Sequence, residues 1–89
     1  MKQFNEEMNV AVMTTKFVLK ENQPILFIYH HEDDGMWEFV GNQDAKDEDY
    51  MVVALEEIIA YDPTVQEVAD LPLGGSAFRT NSRSPWEIE

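Results

Sequence analysis

Apolar positions along the chain change period several times, and each change marks a new element. "NVAVMTT", Asn9 to Thr15, reads as a first strand. In "KFVLK" the residues Phe17, Val18 and Leu19 fit neither period cleanly, so this stretch either continues the strand or forms a short helical turn. "ENQP" is a turn, with Pro24 where proline is tolerated, just ahead of the next strand. Ile25 to His31 is apolar on both faces, with Ile25, Phe27 and Tyr29 on one and Leu26 and Ile28 on the other. That pattern predicts a central strand covered on both sides. Asp34-Gly35 is a strong hairpin signal, because glycine accepts the positive φ of a tight turn, and "MWEFV" is expected to return antiparallel.

The second half changes period again. "GNQDAKDED", Gly41 to Asp49, is an exposed polar loop, and "YMVV" after it a short strand. "LEEIIAYD" places Leu55, Ile58 and Ile59 on one helical face, with Glu56 and Glu57 near the start, where the helix dipole favours acids. Asp62-Pro63 ends that helix and begins a second, with Asp62 as N-cap and Pro63 at the first helical position. The second helix, Pro63 to Ala69, packs Val65 and Val68; Pro72 and Gly74-Gly75 then break the chain. "SAFRT" is expected as the last strand and "NSRSPWEIE" as a tail anchored by Trp86. The order predicts an α+β domain. Its sheet is mainly antiparallel, of about four to five strands, with two short helices between the penultimate and last strands.

Length makes residues 1–89 a single small domain, with Met1 to Met8 a flexible polar arm or a short first turn. The absence of cysteine excludes disulfides, thiolate metal sites and cysteine nucleophiles. The opening fifteen residues lack a signal-peptide core and no run approaches a membrane span, so a cytoplasmic protein is expected. Charge changes the picture more. The chain carries −12, and Glu32 to Asp49 alone holds eight carboxylates against one lysine, a local −7. Such a surface repels nucleic acid and anionic lipid and attracts basic proteins.

"HHEDDG", His30 to Gly35, gathers five residues able to bind metal or move protons. Alternation along a strand sends His30 and His31 to opposite faces, so they do not converge on one ion. A two-residue turn would set His30 against Phe39 and His31 against Glu38; a three-residue loop would set His31 against Trp37. In the first register Ile28, His30, Trp37 and Phe39 share a face. "DAKDED" lacks the glycine and alternating oxygen ligands of a calcium loop. Ser76, Ser82 and Ser84 lack an elbow motif, and "LPLGGSAF" lacks the phosphate-binding lysine. No catalytic residue, cofactor or metal ligand is therefore assigned. Arg79, scarce positive charge in an acidic chain, reads as a surface arginine on an edge strand or as an internal clamp on a carboxylate, and a functional role stays open beside the clamp.

Three stretches resemble a known family: "VAVMTTKFVLKENQPILFIYHHEDDGMWEFVGNQD", "VVALEEIIAYDP" and "LPLGGSAFR" with "PWE". Together they look like the bacterial immunity-protein-33-like family, first catalogued as domain of unknown function 2185, over Val10 to Glu87. The family pattern corresponds to Gly35, Trp37, Phe39 and Gly41, to Leu55 through Asp62-Pro63, and to Pro72, Gly74 and Arg79. Two departures stand out. Met36 separates Gly35 from Trp37, and His30-His31 replaces an arginine expected before the acidic turn, so any partner contact made by that arginine is not shared. The resemblance implies a non-catalytic immunity protein that neutralises a toxin by binding it. The partner surface is then expected at Asp33, Asp34, Asp44, Asp47, Glu48 and Asp49, with Trp37 as an anchor if exposed. A stand-alone regulatory or scaffolding domain using the same acidic face is the alternative.

Overall fold

A strand with one apolar face needs a covering layer, and here short helical segments supply it on one side of a single sheet. In the computed structural model, which describes residues 2–89, the strands are β1 (Ala11–Thr15), β2 (Phe27–His30), β3 (Trp37–Val40), β4 (Tyr50–Ala54), β5 (Ser76–Phe78) and β6 (Glu87–Ile88). The helices are α1 (Lys16–Leu19) and α2 (Leu55–Tyr61), with 3₁₀ turns at Asp47–Asp49 and Pro63–Val68. The strands form one six-stranded sheet in the order β4-β1-β3-β2-β5-β6.

The α+β class holds, but the sheet is mixed rather than mainly antiparallel. β1 runs parallel to β3, with Met13 beside Glu38, while the other four pairings are antiparallel. A parallel neighbour needs a long connection, and α1 with β2 provides it between Thr15 and Trp37. The two helical segments lie between β4 and β5, and the expected tail contributes a sixth strand by pairing Ala77 with Ile88 and Phe78 with Glu87. The ambiguous Lys16–Leu19 stretch is helical and is followed by Asn22 at φ 56°, a left-handed position asparagine tolerates.

The inner face of the sheet holds the core. Val12, Ile28, Trp37, Phe39 and Ala77 meet Leu55 and Ile58 of α2, Val65 and Val68 of the 3₁₀ turn, and Val18 of α1. Glu57 accepts from the Ala54 N–H at 2.9 Å, and Asp62 accepts from the Thr64 N–H at 3.0 Å, so carboxylates satisfy N–H groups at the starts of both helical segments. The first residues are tied down where a flexible arm was expected. Phe4 is buried edge-on to Trp37 with ring centroids 4.9 Å apart, and Glu6 accepts from the Trp37 indole N–H at 3.0 Å. A large apolar ring four residues from the start was the signal for that docking.

β2 lies inside the sheet as expected, yet it is covered on one face only. Ile28 is fully buried inward and Ile25 turns into the core ahead of the strand, while Phe27 and Tyr29 remain half-buried on the outward face. The hairpin matches neither anticipated register: His30 pairs with Trp37 and Tyr29 with Glu38. The loop is four residues long, Glu32 to Gly35, closed by His31 N–H to Met36 C=O at 2.9 Å and Gly35 N–H to His31 C=O at 3.0 Å. Gly35 takes φ 73° at its end, and the Asp34 carboxylate accepts from the Met36 N–H at 2.9 Å. A shift of two residues from the two-residue register keeps the parity, so Ile28, His30, Trp37 and Phe39 still share the inner face.

Candidate functional site

The two histidines diverge as strand alternation requires. His30 stacks on Trp37 with centroids 4.0 Å apart and an interplanar angle of 11°, and its Nδ1 donates to the Leu71 carbonyl at 2.9 Å. Its Nε2 stands 3.9 Å from Glu6. His31 faces outward, stacked near Tyr29, with Nε2 2.6 Å from Glu38 Oε1. Among the described residues no group of three or more histidines and carboxylates is arranged around a metal position.

Trp37 does not offer an anchor. It is 2% exposed, sandwiched among Phe4, His30 and Phe39, and its N–H is taken by Glu6. An indole on the inward side of β3 belongs to the core. Asp49 is also withdrawn from the surface, at 7% exposure. Its carboxylate accepts from the Lys46 N–H at 2.9 Å and pairs with Lys16 at 3.0 Å, joining the loop before β4 to the start of α1. The Lys46 N–H and then Lys16 hold the Asp49 carboxyl below its ordinary 3.8. Hydrogen bonding and attraction to Asp49 raise Lys16 above 10.5.

Arg79 is a structural clamp. It is 3% exposed and uses every edge of its guanidinium: Nε donates to the Ile25 carbonyl at 2.9 Å, Nη1 to Thr64 Oγ1 at 3.0 Å, and Nη2 to Asp62 at 2.6 Å. Trp86 stacks on it, 4.1 Å from guanidinium carbon to ring centroid. One side chain thus fastens the chain after β5 to Ile25 ahead of β2, the 3₁₀ turn and the C-terminal segment.

Asp33, Asp34, Asp44, Asp47 and Glu48 remain exposed, but they do not form one patch. Asp33 and Asp34 sit at the hairpin tip before β3, and Asp44, Asp47 and Glu48 in the loop after it, so the strand separates them. What lies between them was not singled out from the sequence: the outward face of the sheet. At one level this face runs Val52, Met13, Glu38, Tyr29 and Ser76 across five strands. Along the strands it continues with Tyr50, Val40, Phe27, Phe78 and Glu87. None of its apolar members joins the inner core, and Val52 is 63% exposed. The signal for this face was present in the apolar residues at outward positions of β2, where a second covering layer was expected instead.

Electrostatics ties the acidic residues to this face. Partial burial, then Glu38, Asp47, Asp44 and Asp49, push the Tyr50 phenol above 10.0. Partial burial, then Glu38 and Glu89, do the same to Tyr29. Both tyrosines therefore sit in a negative field drawn from the loop, the sheet and the C-terminal segment. No protein-family model matches the chain, and neither a curated protein nor a solved structure matches it.

Proposed function

We propose that this chain is a non-catalytic binding module for a protein with a basic surface. As the family resemblance implies, that partner is a toxin domain, and the chain acts as a cytoplasmic immunity protein that blocks it by occlusion. One observation carries the reading. Five exposed carboxylates, Asp33, Asp34, Asp44, Asp47 and Glu48, flank a single open sheet face in a chain of charge −12. Two of the six cations, Lys16 and Arg79, are already paired with carboxylates outside this set, Asp49 and Asp62. A surface of this kind speeds encounter with a basic partner and disfavours nucleic acid and anionic membranes.

The test is protection with stoichiometry. Co-expressed with the toxin domain of a neighbouring gene, the chain should restore growth and form a saturable complex. Growth inhibition unchanged by the chain, with no complex on mixing the purified proteins, would contradict the toxin assignment.

A further inference from the structure

We infer that the outward sheet face itself, rather than the acidic hairpin tip, is the footprint on which the partner seats, and that the partner presents an apolar patch rimmed by lysine or arginine. This rests on the binding-module reading and adds where and how the contact is made. β2 supplies large apolar side chains to both faces of the sheet, but the helical segments send their buried residues only to the inner core. The outward face is left with Met13, Phe27, Val40 and Phe78 half-buried and Val52 exposed, one apolar side chain on each strand from β4 to β5, with Glu38 and the buried Thr15 set among them. Exposed contiguous apolar area rimmed by polar residues is the mark of an interaction surface. Tyr29 and Tyr50 add phenols, the side chain most favoured where a contact is apolar at one end and wet at the other.

Charge chooses the occupant. Glu38 lies in the middle of the face, Glu87 and Glu89 run along the β6 edge, and Asp44, Asp47 and Glu48 border one end. His31, a basic side chain on the face, is already bonded to Glu38. A second copy of the chain would bring another −12 against the same carboxylates, so self-association is disfavoured and a cation-rimmed partner is favoured. The apolar side chains around Glu38 give a bound partner its slow release, and the acidic border gives it fast arrival.

The experiment uses the whole chain as bait in the source cell. The captured protein is identified by mass spectrometry, purified and titrated against variants. Val52→Lys and Ser76→Lys place a cation at either end of one row of the face; Glu67→Gln, on the helical layer, makes the same charge change as Val52→Lys elsewhere. The inference expects each face variant to weaken binding at least tenfold and Glu67→Gln by less than twofold. Methyl NMR of the unmodified chain covers the case of a variant that fails to fold: Met13, Val40 and Val52 should shift on adding the partner, with Val65 and Val68 unmoved. Face variants that bind like wild type, with unmoved face methyls, overturn the footprint while leaving the binding-module reading intact. A bait that captures no saturable partner overturns both.

Discussion

Three side chains that look functional in the sequence have their chemistry spent inside the molecule. Arg79 carries a charge into the interior and is balanced there by Asp62, Thr64 and the Ile25 carbonyl. Breaking such a pair leaves an uncompensated partner, so Arg79→Met should lower unfolding free energy by about 3 kcal/mol. Arg79→Lys should recover only part of that, because an ammonium lacks the planar fork. Urea denaturation followed by tryptophan fluorescence measures both; equal stability of the three proteins would contradict the clamp. Trp37→Ala should remove about 3–5 kcal/mol through the lost packing. Trp37→Phe should fold and bind a partner as wild type does, whereas a binding anchor would lose affinity. For Asp49 the folded-state carboxyl lies below its ordinary 3.8, so its contribution to stability is present above that range and is lost as pH falls through the folded value. Wild type should exceed Asp49→Asn at pH 7, and the gap should close in acid; a gap that persists in acid would mean the contribution is not electrostatic. Lys16 runs the opposite way: raised above 10.5, it stabilises below that value and loses its contribution as pH climbs through the folded one.

The elements were legible where local chemistry decides them. Asp62 capping and Pro63 at the first helical position both appear where the dipeptide indicates, as does the α2 face of Leu55 and Ile58. Register and pairing were less legible. Asp34-Gly35 marks a turn without fixing its length; here Gly35 takes the left-handed position as the last of four loop residues, and Asp34 bonds the next backbone N–H. Strand parity survived because a two-residue shift returns every side chain to its own face. The parallel β1–β3 contact had no local signature at all, since it depends on which edges meet after β2 has formed its hairpin. The open outward face was half-legible: its apolar positions were visible, its lack of a covering layer was not. At the turn, Gly35→Ala should cost about 1 kcal/mol, because φ 73° strains any residue with a Cβ. A thermal melt unchanged by the substitution would mean the loop relaxes to another form.

At the scale of the whole molecule, the sheet divides the labour between its two faces. The inner face, with Trp37, Phe39 and the residues of α2, holds the fold; the outward face has Glu38 at its centre and carboxylates at both ends. Two of the seven residues first expected at the partner surface, Trp37 and Asp49, belong to the interior, and the remaining five flank the outward face from opposite ends of β3. The proposed function turns on one step, the steering of a basic protein onto the chain by this acidic surface. Its most direct test is the association rate constant of the purified partner, measured by stopped flow between 20 and 500 mM salt, for wild type and for the triple charge reversal Asp44→Lys, Asp47→Lys and Glu48→Lys. Steering requires a wild-type rate that falls steeply with salt, by roughly tenfold or more, and a variant whose rate is slower and nearly flat. A wild-type rate insensitive to salt, or a reversal that leaves it unchanged, would contradict it.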